Sequence, residues 1–518
     1  MNGAQALIRT LVDAGVDTCF MNPGTSEMHF VAALDSVAEV RGVLALFEGV
    51  ATGAADGYAR MAGRPAATLL HLGPGLGNGL ANLHNARKAR TPVVNIVGDH
   101  ATYHKRYDAQ LESDIETVAR NVSRFVRTSQ RVEDLAGDAA EAIAAAAGPP
   151  GEVATLILPA DVSWSDGASP AAVPALPGRR AVAADTVEVV AKALRSGEPA
   201  AILVGGSACR ADALHAASRV AAATGAKLAC ETFPARLERG ACVPEVERIA
   251  YLGEMAAAQL DGIRHLVVVD SKAPVSFFAY PGKPSDLVPD GCEVHVLAGH
   301  DEDAAGALAA LADAVRAPAA SAVVSDGSRP DRPTGALTAQ ALGAAIGALL
   351  PEGAIVSDEA NTSGLFATAA TAGAPRHDWL CLTGGAIGQG LPVAVGAAVA
   401  CPDRRVLAFQ ADGSALYTFQ ALWTMAREGL DVTTVLLNNR SYAILNMELN
   451  RVGAETPGPK AKAMLDLTRP DMDFVALAAG LGVPASRATT ADELVDQLGR
   501  SFATPGPSLV EAMIPSPW

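Results

Sequence analysis

Asp412 closes an apolar, strand-like run at 406–413 (VLAFQADG), and Asn439 follows it by 27 positions in a second such run, VLLNNRSYAI. A carboxylate and a neutral amide at two strand ends are oxygen ligands of the kind a hard divalent cation takes, alongside backbone carbonyls, phosphate and water. The carbonyl of Ser441 is a third candidate ligand. Gly413 lets the main chain approach an anionic group closely, and the Ser414 amide, at a helix start, is a donor suited to phosphate. The plainer reading is a strand-turn-helix followed by an Asn-Asn loop, and the spacing alone does not exclude it.

A second acid with chemical promise lies far upstream. Glu48 stands at the start of FEGVATGAADGYAR (47–60), where small residues at 51, 54 and 55 give a helix face able to pack very closely. An acid there also complements the helix dipole, worth about 0.3–1 kcal/mol. His71 precedes a glycine-rich stretch, HLGPGLGN (71–78), and is a candidate proton shuttle or else a satisfied strand-end histidine. His100, His104, Lys105 and Arg106 cluster nearby, either to attract a carboxylate or simply as a solvated loop.

These residues need a scaffold, and the chain's patterning predicts one. Short β-branched runs ending in Gly or Asp recur at 93–98, 201–206, 266–270 and 406–413, each followed by Ala-rich helical sequence. Such runs are what parallel strands covered on both faces look like, and ligands in such sheets sit beyond the carboxyl ends. Two Pro/Gly/Ser-rich stretches, 161–180 and 317–335, lack apolar periodicity and read as exposed linkers. They divide 518 residues into three α/β blocks at 1–162, 181–317 and 336–518. The fold class expected is α/β, with three doubly wound parallel-sheet domains.

Composition narrows the partners. A net charge of −16 argues against nucleic acid, which needs a basic face. Seven scattered cysteines without a C-x-x-C pair fit reduced, buried thiols rather than zinc or disulfides. The N-terminus reads as an amphipathic helix over 2–16 instead of a leader, and no run of about 18 apolar residues spans a bilayer. A cytoplasmic protein with no membrane partner is expected.

Taken together, the ordered motifs resemble the thiamine-diphosphate (ThDP) enzyme family. The 412–439 pair resembles its G-D-G…N-N metal motif, with Ala411 in place of the first glycine. E-x-x-A-x-x-x-A-D-G-Y-A-R looks like the helix carrying the glutamate that activates the cofactor. NPGTSE (22–27), HLGPGLGN (71–78), DEANTSG (358–364) and GAIGQGLP (385–392) match further landmarks. The resemblance implies Mg²⁺ held by Asp412, Asn439 and Ser441. It implies ThDP contacts from Pro23, Asn78, Asn361, Thr362, Gly413 and Ser414, with Ile387 as the wedge that bends the cofactor. It further implies Glu48 and His71 as catalytic groups.

The family's chemistry is attack on the carbonyl of a 2-oxo acid and loss of CO₂, followed by protonation to an aldehyde or ligation to a second carbonyl. Acetolactate synthases and benzoylformate decarboxylase are the near relatives. Thr25, Gln110, Tyr442, Ile444 and Leu445 are the implied substrate-pocket residues. The chain departs from both relatives. Ala279, in the stretch 273–280, stands where benzoylformate decarboxylase has its second histidine, and DAQLE (108–112) replaces D-A-F-Q-E of the synthases. FAD in the middle block is left open. The glutamate and the metal site come from different subunits in the family, so a homodimer or homotetramer is expected. Competing readings are a non-catalytic ThDP-binding homologue and a Rossmann-type oxidoreductase. The second lacks a G-x-G-x-x-G at its first strand end.

Overall fold

The computed structural model describes residues 1–453 and 458–516, and the Asn361 side chain lies outside that description. The first sheet is built from β1 (Thr18–Asn22), β2 (Arg41–Leu44), β3 (Ala66–Leu70), β4 (Val93–Asp99), β5 (Phe125–Thr128) and β6 (Val153–Pro159). Its order is β2-β1-β3-β4-β6-β5, and every pairing is parallel. β3, β4 and β6 are buried along their whole length, as their unbroken apolar character requires.

The second sheet uses β7 (Ala200–Val204) and β8 (Lys227–Cys230), while β9 (Leu237–Arg239) leaves it to join the third. β10 (Glu247–Arg248), β11 (His265–Val269) and β12 (Glu293–Ala298) complete the order β10-β8-β7-β11-β12. The third contains β13 (Ile355–Glu359), β14 (His377–Cys381), β15 (Val406–Ala411), β16 (Val432–Asn438), β17 (Ala485–Ala488) and β18 (Ser508–Met513). Its order is β17-β18-β16-β15-β13-β14-β9, and only β9 runs antiparallel to its neighbour. The α/β class read from the sequence is the class observed.

The first and third sheets are joined by two helices with little side chain between them. Glu48–Ala62 is buried over nearly its whole length, as is Gly390–Ala400, which is apolar all round. A Cβ added to Gly396 would sit 1.8 Å from the Ala54 carbonyl oxygen, and one on Gly57 2.2 Å from that of Val393. The small-residue face of the Glu48 helix therefore serves close helix packing.

The glycine-rich stretch after His71 starts a helix, Leu72–Ala89, where Gly73, Gly75 and Gly79 allow neighbouring side chains to press against it. Two expectations need correction. The first linker is not exposed throughout: Ala160–Trp164 is helical, with Val162 and Ser163 buried. Not every thiol is buried, since Cys242 is exposed and Cys292 and Cys401 are half-buried. The N-terminal helix forms as Gly3–Asp13 and is closed by an Asn2/Gln5 capping box. Among the described residues no helix is long and apolar enough to cross a membrane.

Candidate functional site

Glu48 begins its helix one residue after Phe47 and is buried. Asn78, from the Leu72–Ala89 helix, donates its amide to Glu48 Oε2 at 3.0 Å, so this side chain holds the acid as well as being a candidate cofactor contact. A Cβ on Gly75 would lie 3.0 Å from Glu48 Oε1 and 3.4 Å from the His71 Cβ, so both candidate catalytic residues crowd that glycine.

His71 has a partner that the sequence reading passed over. Glu27 is fully buried, and its Oε2 lies 2.8 Å from His71 Nδ1 and accepts the Gly24 amide at 2.7 Å. The carboxyl engages Nδ1, which leaves His71 Nε2 for proton transfer. Among the described residues Glu27 Oε1 is buried without a hydrogen-bond partner, pressed against the glycine backbone at Gly98. The signal was available: Glu27 closes the NPGTSE turn, which also carries Pro23 and the exposed Thr25. Gly24 is required there, because a Cβ would fall 2.1 Å from His71 Nδ1.

The second cluster lies at the carboxyl ends of β13, β15 and β16. Asp412 is buried at the head of a four-residue helix, Asp412–Ala415, and burial pushes its carboxyl up to about 6. Its oxygens accept the amides of Gly413 at 2.8 Å and Arg440 at 2.7 Å. Among the described residues no Lys, Arg or His pairs with it. A buried carboxylate without a counter-charge is a site that asks for a cation.

Asn439 and Ser441 belong to the loop wrapped around that acid, and the Ser441 amide donates to Asn439 Oδ1 at 2.9 Å. Asn439 Nδ2 donates to Ser363 Oγ at 3.0 Å, tying this loop to the segment of Thr362. Ser363 is a site residue that the sequence reading did not single out. Ser414 is held by Gln410 at 2.7 Å. Tyr442 lies against Gly413, where a Cβ would meet its ring at 2.5 Å. The oxygen donors of Asp412, Asn439 and Ser441 fit a hard divalent cation.

Ile387 is partly exposed in a segment clamped from both sides. Glu359, raised to about 7 by burial, accepts the amides of Gly388 and Gly390, each at 2.5 Å. From the first domain, Asn82 donates to the Gly388 carbonyl at 3.2 Å and Asn85 to that of Ala386 at 2.8 Å. Asp56 and Arg60 form a buried bidentate pair at 2.8 and 2.6 Å, and Gln389 donates to Asp56 at 2.6 Å. Arg60 also reaches the Cys381 carbonyl at 2.8 Å. The acid and arginine of A-D-G-Y-A-R thus position the Ile387 segment. Arg60→Met strands the Asp56 charge and is expected to cost about 3–5 kcal/mol, measured by urea unfolding.

Other pocket expectations fare unevenly. Gln110 is exposed within one chain. Lys105 is taken by Asp99 at 2.7 Å and Glu112 at 2.9 Å, so the basic cluster does not offer it to a carboxylate. Ala279 is exposed, whereas its neighbour Tyr280 lines a cavity of about 310 Å³. Glu448 and Arg451, from the last turns of the helix Ala443–Arg451, line that cavity, whereas Ile444 and Leu445 of the same helix do not. Its walls are Tyr251, Phe277 and Phe278, and its polar floor is Glu448 and Arg451. Tyr280 donates to Glu448, and Arg451 lies over the Tyr280 ring at 4.6 Å. Phe277 also meets the Gly385 backbone, where an added Cβ would lie 2.6 Å from its ring.

Residues 1–119 match the model described as thiamine pyrophosphate enzyme, N-terminal TPP binding domain, and 361–512 match its C-terminal counterpart. A Mycobacterium tuberculosis protein provisionally named acetolactate synthase large subunit IlvX is 64% identical over 517 residues, covering 100% of this chain and 99% of its own. A Pseudomonas aeruginosa protein named benzoylformate decarboxylase is 31% identical over 527 residues, covering 96% of each chain. The solved structure of a Rhodococcus jostii thiamine diphosphate-dependent 4-hydroxybenzoylformate decarboxylase superposes with a TM-score of 0.87, covering 99% of both chains at 23% identity.

Proposed function

The chain belongs to the thiamine pyrophosphate enzyme family, and from that premise we propose that it is a ThDP- and Mg²⁺-dependent 2-oxo acid decarboxylase and carboligase of the acetolactate synthase type. The observation that carries the reading is the buried, uncompensated Asp412 beside Asn439, matched by the buried Glu48 at the other strand-end cluster. When bound, ThDP supplies the carbon nucleophile and the electron sink for decarboxylation. Asp412, Asn439 and Ser441 would hold the cation, Thr362, Gly413 and Ser414 the diphosphate, and Ile387 the bend of the cofactor. Glu48, positioned by Asn78, would hold the proton of the aminopyrimidine. His71, oriented by Glu27, would move a proton at the substrate carbonyl.

The half-buried His71, paired with the buried Glu27, also favours a second reading, in which protonation releases an aldehyde, as in a benzoylformate-type decarboxylase. A panel of 2-oxo acids with product identification separates the two: 2-hydroxy ketone products support the synthase reading, and aldehydes alone the decarboxylase. Absence of turnover together with unchanged melting temperature on adding ThDP and Mg²⁺ sinks both.

Within one chain no hydrogen bond or ion pair among the described residues links the Glu48 cluster with that of Asp412. Large apolar side chains stand exposed beside each: Met28 and Leu46 near the first, Leu365, Leu416 and Tyr417 near the second. Both facts support a homodimer or homotetramer with active sites shared between subunits. Sedimentation is expected to show no active monomer.

The central sheet does not fit FAD. At the carboxyl ends of β7 and β11, the Ser207 amide donates to Asp270 at 2.7 Å and the Gly206 amide to Glu231 at 3.2 Å. The donors that would cradle a diphosphate are filled by the chain's own carboxylates, with His300 2.9 Å from Asp270. The purified protein is expected to be colourless and to release no flavin on denaturation.

A further inference from the structure

At the amino-terminal end of the central sheet, away from the clusters above, the parallel register pairs His265 of β11 with Glu293 of β12, and Val267 with His295. Paired and alternate residues share a face, so both imidazoles and the carboxylate project to one side. His265 Nδ1 stands 3.1 Å from His295 Nε2, and Glu293 Oε2 is 3.8 Å from each of those two nitrogens. A triangle with those sides has its centre about 2.1 Å from every corner, so a slight inward turn of the exposed Glu293 lets an ion sit just above that plane at Zn–N and Zn–O bond lengths.

The other nitrogen of His265 is also accounted for. His265 Nε2 lies 3.1 Å from Glu198 Oε2. An ionised carboxylate only accepts, so Nε2 carries the proton and Nδ1 turns its lone pair toward His295 and Glu293. A carboxylate behind an imidazole is the arrangement that orients metal-binding histidines. The two imidazoles are shielded, with side chains 10% and 14% exposed, whereas Glu293 is 73% exposed and keeps the cluster open to solvent. Among the described residues it is the one group of three His, Cys, Asp or Glu whose ligand atoms converge in this way.

We propose that His265, His295 and Glu293 bind one divalent transition-metal ion of the zinc type, with Glu198 positioning His265 and water completing the coordination. Two imidazoles and a carboxylate select Zn²⁺, Ni²⁺ or Cu²⁺ over Mg²⁺, so the site does not compete for the cation of the cofactor. Its effect is to clip β12, the edge strand of the sheet, to β11.

The test is titration of the Mg²⁺–ThDP-loaded protein with Zn²⁺ by calorimetry and with Co²⁺ by visible absorption. One equivalent per chain is expected, with the d–d bands of tetrahedral Co²⁺. His265→Asn/His295→Gln should lose both signals while its ThDP-induced rise in melting temperature persists. Glu198→Gln should bind about 10- to 100-fold more weakly. Glu293→Ala, a change at an exposed side chain that leaves the strands intact, should likewise bind at least tenfold more weakly. A wild-type protein without this equivalent, or one whose equivalent survives in Glu293→Ala and in the double histidine variant, overturns the proposal. The histidines would then be a hydrogen-bonded pair only.

Discussion

Glu48→Gln is expected to lower turnover of every accepted 2-oxo acid by about 10²- to 10⁴-fold, the contribution of a positioned acid–base group. The substitution is close to isosteric. Asn78 can still donate its amide to the remaining carbonyl oxygen, as it does to Glu48 Oε2 at 3.0 Å. The close approach at Gly75 is likewise kept, because Gln adds no volume there. What disappears is a carboxyl able to hold and release a proton. Loss should therefore fall on kcat, with the ThDP-induced melting shift near that of the wild type. Asn78→Ala, which only loosens the acid, should cost less. Wild-type turnover in Glu48→Gln would remove the acid from the mechanism.

How much of this was legible in the residues depends on how local each signal is. The sheets announce themselves because buried parallel strands are unbroken apolar runs, and the Asp412 and Asn439 positions follow from strand ends. Glu27 does not stand out within its turn, because its importance comes from His71, which neighbours it only through the pairing of β1 with β3. Ser363, Tyr280 and Glu448 were missed for the same reason: each acts through a partner distant in the chain. Gln110 is exposed within one chain, and a motif offset by one residue does not tell which face of its turn would meet a second subunit. The A-D-G-Y-A-R signature marks the helix, and the structure adds that its Asp56 and Arg60 hold the Ile387 segment.

Asp412→Ala is expected to weaken Mg²⁺-dependent ThDP binding by more than about 100-fold, beyond the loss that follows from altering a mere outer partner of a metal ligand. The argument rests on electrostatics. The carboxyl is buried, its partners are backbone amides, and burial raises it to about 6. A cation and a proton then compete for the same oxygens, so affinity for Mg²⁺ should fall about tenfold per pH unit below about 6 and level off above it. The apo protein should show the opposite trend. A carboxyl raised in the folded state contributes stability that is fully present below its unfolded value and is lost as pH rises through the folded one. Glu359, raised to about 7, acts with the same sign. The apo protein should therefore melt lower at pH 8 than at pH 5, and Mg²⁺ with ThDP should recover the part due to Asp412 but not that of Glu359. Asp412→Asn isolates the term: it removes the buried charge, so the apo form should gain stability at pH 8 while losing the cofactor-induced shift. Mg²⁺ affinity that stays flat between pH 5 and 7.5, or a variant that keeps the shift, would mean that the cation is held elsewhere.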